Sequence, residues 1–176
     1  MVILRPTKIT DLDYVLAAEH NQENSPYVFL WSREQHLEAL TNPDLAHLIV
    51  EVDQVDQKEK IDQSNQIDSR VGYMIMVGLE KSKDNIVLGR IVITQKGKGY
   101  GRGAIELIKA RAFKEYKTHR LWLDVKDFNH RAQALYRSAG FILEGTLREC
   151  LKTENGYESL QVMSILSHEY QAELGG

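Results

Sequence analysis

Short β-like runs alternate along the chain with longer segments in which apolar residues recur at helical spacing. Strands are predicted where β-branched and aromatic residues cluster, at residues 2–4, 48–52, 71–79, 86–94, 120–125, 141–147 and 157–166. Helices are predicted to begin near Thr10, Ser32, Ala104 and Asn129, where capping residues or amphipathic spacing mark a start. The tail from Ser167 to Gly176 has neither pattern, and we expect it to be frayed.

The order of these elements predicts one domain that spans residues 1–176. Hairpin-like strands dominate the first half, and two strand–helix–strand crossovers follow, the first over residues 86–125 and the second through the helix at Asn129. This order is typical of an α/β (α+β) fold with a mixed central sheet of six to seven strands, flanked by about four helices. Residues 53–70 are almost wholly polar and have no period, so we interpret them as a solvated loop insertion between two strands.

Composition narrows the classes of function. The net charge of −3 over 176 residues argues against a nucleic-acid binder that works through bulk positive charge. The N-terminus has no apolar segment typical of a signal peptide, and no apolar run approaches the length of a membrane span. The single cysteine, Cys150, excludes an intrachain disulfide. We therefore expect a cytoplasmic protein that binds neither nucleic acid nor a membrane.

One stretch, NIVLGRIVITQKGKGYGRGAIELIKAR at residues 85–111, combines a strand, a glycine-rich loop and a helix. Glycines in such a loop let backbone N–H groups turn toward an anion with no side chain in the way. The helix start behind the loop adds unpaired donors and a partial positive charge. Lys96, Lys98 and Arg102 add full charges. The stretch therefore predicts a site for a phosphate or a pyrophosphate.

Three phosphate-binding motifs compete for this loop. A P-loop is excluded because no glycine pair has the required spacing before Lys and then Ser or Thr. The dinucleotide fingerprint G-x-G-x-x-G/A is met by Gly99, Gly101 and Ala104, and Asp124 stands where a ribose-binding acid is expected. That fingerprint belongs early in a series of βαβ units, whereas only one more helix is predicted after Asp124. The third motif, R/Q-x-x-G-x-G/A, matches residues 96–101 except at its first position, which is lysine.

The second half of the chain carries a longer pattern that accompanies the third motif. After a strand at residues 121–125 the sequence reads N-x-x-A-x-x-L-Y-x-x-x-G-F from Asn129 to Phe141, and then E-G-x-x-R from Glu144 to Arg148. By this pattern the chain resembles the GCN5-related N-acetyltransferases, the GNAT family, and most of all the branch of ribosomal-protein N-terminal and polyamine acetyltransferases. The resemblance covers residues 71–148 and is loose over the first 50, which in this family hold the acceptor-binding helices.

The resemblance implies an acyl-CoA N-acyltransferase fold and acetyl-coenzyme A (acetyl-CoA) as the donor. In the family the strand before the loop is bulged and splayed, so its free backbone groups pair with the pantetheine arm, and one N–H polarises the thioester carbonyl. Lysine at position 96 keeps the positive charge but loses the planar hydrogen bonding of Arg or Gln. The implied cofactor-binding residues are Ile91, Val92, Ile93, Lys96, Gly97, Lys98, Gly99, Tyr100, Gly101, Arg102 and Asn129.

Two of the site residues have a functional and a structural interpretation. Tyr136 matches the family's tyrosine near the coenzyme sulfur and is the predicted catalytic acid, although its spacing from Ala132 also suits a core aromatic residue. Asn129 is expected to cap a helix, and in the family the matching asparagine also contacts the pantetheine or a bound water.

The sequence does not identify the general base. Three glutamates are candidates by location, and each taken alone would suit a surface carboxylate: Glu19, Glu23 and Glu80. The six histidines show no metal-ligand spacing and Cys150 has no nucleophile pattern, so no metal site is predicted. One aromatic cluster suits either an acceptor groove or packing between the first two helices: Tyr27, Phe29 and Trp31.

We therefore predict an N-acetyltransferase in which a primary amine attacks acetyl-CoA directly within a ternary complex. Two alternatives remain at this point, a small NAD(P)-dependent oxidoreductase and a non-catalytic acyl-CoA-binding module. The acceptor is open between a protein N-terminus, a polyamine, an aminoglycoside and an amino-acid analogue. We expect a monomer or a homodimer.

Overall fold

The computed structural model describes residues 1–53 and 68–175, so most of the predicted insertion at 53–70 lies outside the described residues. Within them the chain forms seven strands and five helices. The strands are β1 (Val2–Pro6), β2 (Leu45–Val52), β3 (Arg70–Val77), β4 (Asn85–Ile93), β5 (Arg120–Lys126), β6 (Ile142–Thr153) and β7 (Gly156–Leu166). The helices are α1 (Leu12–His20), α2 (Arg33–Thr41), α3 (Tyr100–Ala110), α4 (His130–Ser138) and α5 (Ser167–Gly175).

The strands form a single mixed sheet in the order β1-β2-β3-β4-β5-β7-β6. Strands β1 to β4 pair antiparallel in sequence order, and β4 then pairs parallel with β5 across the α3 crossover. Strand β7 inserts antiparallel between β5 and β6. The predicted mixed α/β sheet of six to seven strands is thus confirmed, and the parallel pair lies at its centre.

Helices cover both faces of the sheet, as the amphipathic patterns require. The apolar stripe of α3, which includes Ala104, Ile105 and Ile108, is fully buried in a core shared with α4 and the sheet. On the opposite face Val15 and Ala18 of α1 pack in a second, smaller cluster. Each fully buried side chain of this size contributes about 1.5–3 kcal/mol, so α3 is fixed firmly behind the glycine loop.

The C-terminal tail departs from the prediction, because Ser167–Gly175 forms α5 instead of a frayed end. Tyr170 is buried and stacks on Phe113 with the ring centroids 4.8 Å apart. Glu169 accepts a hydrogen bond from the backbone N–H of Leu166 at 2.7 Å, which closes the start of the helix. One aromatic anchor and one cap hold this short helix, and neither produces a periodic apolar pattern in the sequence. Among the described residues, no helix has the length and apolar character needed to cross a bilayer.

Candidate active site

The central parallel pair opens into a cleft because β4 and β5 are joined only at their first residues. Their pairing runs from Asn85 opposite Arg120 to Val87 opposite Trp122 and then stops. On its other edge β4 has a register shift against β3, which leaves Gly89 as the extra residue. A bulge of this kind bends a strand away from its neighbour. From Leu88 to Ile93 one edge of β4 therefore has no strand partner in β5.

This separation forms a cavity of about 840 Å³. All of residues 88–93 line it, as do Asp124, Val125 and Lys126 on the other strand. The side chains of the predicted Ile91, Val92 and Ile93 are partly or fully buried in the two clusters, while their segment borders the cavity. The free strand edge could pair with an extended ligand as an added strand would.

The glycine loop lies at one end of the cavity, where α3 begins. Gly97 and Gly99 have φ angles of 81° and 79°, a left-handed conformation that favours glycine. A Cβ at either position would meet no described atom within 4 Å. Within residues 1–53 and 68–175 no acceptor is bonded to the N–H groups of residues 97–102, and α3 has no side-chain cap. Several unclaimed N–H groups at the start of an eleven-residue helix are suited to bind an anion.

The three cations predicted at the loop have separate positions. The Lys96 ammonium donates to the carbonyl oxygen of Glu23 at 2.6 Å and lies 3.3 Å from its carboxylate, so it is tied to the segment between α1 and α2. Lys98 donates to Gln95 and is not among the residues that line the cavity. Arg102 lines the cavity and donates to the Ser138 hydroxyl at 3.0 Å. Lys96 and Arg102 thus both border the cavity with the loop, whereas Lys98 does not.

Asn129 and Tyr136 both line the cavity. The Asn129 side chain accepts from the N–H of Ala132 at 3.2 Å, which confirms the predicted cap of α4. Tyr136 is 5% exposed and its ring lies 5.9 Å from that of Phe141, so it is also the core aromatic that the spacing allowed. Its hydroxyl has no hydrogen-bond partner within the described part of the chain.

Asp124 also borders the cavity, whereas the sequence motif indicates it only as a ribose-binding acid. Strand alternation buries Leu123 and Val125 and places Asp124 on the other face of β5, bordering the cavity. The Asp124 side chain is exposed on the cavity side, and partial desolvation by the surrounding protein raises the pKa of its carboxyl. Burial, and then the nearby Asp124 charge, raises the pKa of the Tyr136 phenol. The alternating pattern L-W-L-D-V was the available signal for a polar group turned away from the core.

The structure lacks the parallel sheet that the alternative, a dinucleotide-binding site, would require. Asp124 lies within β5, not at its end, and β5 pairs antiparallel with β7 on its far side. A dinucleotide fold requires a series of parallel strands, whereas this sheet has a single parallel pair among the described strands.

The glutamates proposed as general bases are widely separated. Glu23 lines the cavity, whereas Glu80 lies in the turn between β3 and β4 and does not. Glu19, expected at the surface, is instead fully buried in α1, and that interpretation was wrong. The sequence of this short helix gave no sign of the distant partners that bury Glu19.

The Glu19 carboxylate is held by donors from three other parts of the chain. Its oxygens accept from the Tyr73 hydroxyl, the Arg90 guanidinium and, at 3.0 Å, the N–H of Trp31. His36 Nε2 lies 3.3 Å away. Burial alone would raise its pKa, but the hydrogen bonds from His36, Tyr73 and Trp31 and the Arg90 charge lower the pKa of Glu19 to about 2. A carboxylate so fully occupied is a structural anchor and not a base.

The predicted aromatic cluster divides between the two interpretations. Tyr27 and Phe29 line the cavity mouth and remain 41% and 51% exposed. Trp31 instead packs in the smaller core, with the Arg90 guanidinium 4.4 Å from its ring centroid. The segment between α1 and α2 thus supplies two exposed rings at the cavity, Tyr27 and Phe29, which we call the aromatic rim. It also supplies Trp31, which anchors the segment to the smaller core.

Comparison with known proteins identifies relatives over most of the chain. A family model described as "Acetyltransferase (GNAT) domain" matches residues 1–142. A putative ribosomal-protein alanine N-acetyltransferase of Bacillus subtilis is 27% identical over 164 residues, which is 89% of this chain and 91% of the relative. A spermidine N(1)-acetyltransferase of Escherichia coli is 27% identical over 179 residues, covering 98% of this chain and 89% of the relative.

The fold is also found in solved structures. A spermidine N-acetyltransferase of Vibrio cholerae, crystallised with CoA and spermine, superposes with a TM-score of 0.79. That match covers 97% of this chain and 98% of the other, at 21% sequence identity, and it supports the architecture alone.

Proposed function

Because the chain belongs to the GNAT acetyltransferase family, we propose that its cavity holds acetyl-CoA and a primary amine together and transfers the acetyl group between them. The observation that carries this proposal is the combination, around one cavity, of unclaimed backbone donors, a free strand edge and two ionisable groups. Both an acid and a base for the transfer are thus available among the described residues that line the cavity.

The cavity fits acetyl-CoA by its shape and its donors. The N–H groups of residues 97–102, with the positive end of α3 behind them, would hold the diphosphate, and Arg102 would add a charge-assisted contact. The glycines at 97 and 99 leave the space that a Cβ would otherwise fill. The free edge of β4 at residues 88–93 would pair with the pantetheine arm, and Asn129 borders the same path. When bound, acetyl-CoA supplies an acyl group activated as a thioester.

Asp124 is the proposed general base. The acceptor amine must lose a proton as its nitrogen bonds to the acyl carbon, and a carboxylate with a raised pKa accepts a proton more readily than an ordinary aspartate does. The charge of Asp124 also favours an ammonium group near it before reaction. Direct contact or a single bridging water would serve equally.

Tyr136 is the proposed general acid. As the carbon–sulfur bond breaks, its hydroxyl donates a proton to the departing sulfur. Its raised pKa keeps the phenol protonated at neutral pH, so the proton is present when the sulfur needs it. The hydroxyl is not engaged by another described side chain and is therefore available for this role.

The acceptor is a primary amine that enters from the side of the aromatic rim. The names of two relatives specify an alanine N-terminus and spermidine, so both peptide and small-molecule amines are in the range of the family. The amine nitrogen would lie between Asp124 and the acyl carbon.

The test is free-thiol release from acetyl-CoA across a panel of amines and peptides. We expect turnover by the wild type, with kcat reduced about 100-fold or more in Asp124→Asn and in Tyr136→Phe. Asp127→Asn, which changes a neighbouring carboxyl outside the cavity lining, is the matched control and should keep full activity. CoA binding without thiol release for any amine would favour the non-catalytic module. Full turnover by folded Tyr136→Phe would remove its role as acid.

A further inference from the structure

The cavity mouth contains an unusually well-compensated lysine, Lys126, at the end of β5. Its ammonium lies 2.9 Å from both the carbonyl oxygen of Pro26 and Oε2 of Glu158. It also lies 5.6 Å and 5.5 Å from the ring centroids of Phe29 and Phe128. The Lys126 side chain is 12% exposed, so these contacts are mostly shielded from bulk water.

Lys126 lines the cavity and neutralises the carboxylate of Glu158, which is not itself a lining residue. Glu158 Oε2 is buried, and within the described chain the Lys126 ammonium is the only cation at salt-bridge distance from that carboxylate. If Lys126 were absent, Glu158 would present an uncompensated negative charge beside the rings of Phe29 and Phe128.

Two other carboxylates are compensated by cations that line the cavity. Glu23 is paired with Lys96 at 3.3 Å, and the buried Glu19 is paired with Arg90. Among the described residues that line the cavity, Asp124 is the one carboxylate with no cation at salt-bridge distance. The site thus offers one negative group to an incoming amine, at the place where the reaction would occur.

Building on the proposed function, we propose that the acceptor is a primary amine with one positive charge and apolar groups next to it, and that Lys126 sets this selectivity. A polyamine carries a second ammonium group three or four methylenes from the first. That group would meet Lys126 and the rings of Phe29 and Phe128, where the described cavity-lining residues offer no second free carboxylate to receive it, and unpaired like charges are costly in a partly buried site. The exposed faces of Tyr27, Phe29 and Phe128 would instead contact an apolar neighbour, such as the second side chain of a peptide.

Matched amines test the selectivity of the wild type directly. n-Butylamine and 1,4-diaminobutane have the same carbon chain and differ by one charge, and the peptides Ala-Phe-Ala and Ala-Lys-Ala form a second pair. We expect kcat/KM to be about tenfold or more higher for the singly charged member of each pair, with the difference shrinking as salt screens the repulsion. Spermidine should be a poor acceptor.

Two variants test the role of Lys126. Lys126→Met keeps the apolar stem, removes the charge and leaves Glu158 uncompensated, so kcat/KM for 1,4-diaminobutane and spermidine should rise about tenfold. Lys126→Met combined with Glu158→Gln should lose most of that gain, because the uncompensated carboxylate is then gone. Circular dichroism and CoA affinity confirm that both variants are folded and bind the donor.

The outcomes separate this inference from the proposed function. A wild type that acetylates spermidine or the diamine as well as the monoamine would overturn the selectivity while leaving acetyl transfer established. A folded Lys126→Met variant with unchanged preference would overturn the role of Lys126. Absence of transfer to every amine would overturn both.

Discussion

Acidification should destabilise the protein through His47, a residue of β2 buried on the sheet face that α1 and α2 cover. Its Nδ1 lies 2.8 Å from the Thr7 hydroxyl and its Nε2 lies 3.1 Å from Nδ1 of His36. Burial, and then the charges of His36 and Arg90, lowers the pKa of His47 from 6.5 to about 4. The folded protein therefore holds this ring neutral at pH values where the unfolded chain binds a proton.

The direction and the size of this destabilisation follow from the difference between the pKa of His47 in the folded and in the unfolded chain. Stability from this site is fully present above the unfolded pKa and is lost as the pH falls from about 6.5 toward about 4. With these two pKa values the free energy of unfolding should drop by about 2 kcal/mol between about pH 8 and about pH 5, and by about 3 kcal/mol in all. The Glu19 carboxylate affects stability at lower pH. Because its pKa is lowered to about 2, its contribution to stability is lost as the pH falls from the ordinary pKa of a glutamate toward about 2.

Urea unfolding followed by tryptophan fluorescence at several pH values measures this loss. His47→Gln should be less stable than the wild type at about pH 8, and its dependence on pH should be shallower by about 2 kcal/mol over the same range. His168→Gln changes an exposed histidine on α5 and should keep the wild-type dependence. If His47→Gln kept the full dependence as well, the assignment to His47 would be refuted.

Three further predictions concern the site and its anchor. Gly99→Ala should lose about 1–2 kcal/mol of stability from its positive φ and weaken CoA binding at least about tenfold, measured by calorimetry, whereas Gly145→Ala should bind CoA normally. Unchanged affinity in Gly99→Ala would contradict the anion site. Glu19→Gln should lower the free energy of unfolding by about 3–5 kcal/mol because Arg90 stays buried without a counter-charge, and a loss below about 1 kcal/mol in urea titrations would show that the network contributes little. The kcat/KM of the wild type should rise with pH as Asp124 loses its proton, and a folded Asp124→Asn variant with the same rising limb would exclude Asp124 as its source.

The parts of the site that the sequence predicted are local in the chain. The glycine loop, the strand before it and the helix behind it follow one another within residues 85–111, so propensity and spacing were sufficient. The same holds for the cap at Asn129, which bonds to Ala132 three residues later. The bulge in β4 and its separation from β5 were expected only from the family resemblance, which did not place the bulge at Gly89.

The parts that the sequence could not predict depend on contacts between distant residues. Glu19 meets Tyr73 and Arg90, which are 54 and 71 positions away, and nothing in the pattern of α1 marks it as buried. Lys126 donates to Pro26 from 100 positions along the chain. The proposed acceptor side depends on such long-range pairs, so the sequence did not predict it, whereas the proposed coenzyme site is local in the chain.

We propose that backbone amides of residues 97–102 and the free edge of β4 hold the coenzyme. Titration of isotope-labelled protein with CoA, followed by amide chemical shifts in ¹⁵N–¹H spectra, shows which amides contact it. We predict the largest shifts in residues 97–102 and 88–93, with smaller ones at Asn129. Saturable binding that leaves the amides of residues 97–102 unshifted, while amides elsewhere move, would contradict the account.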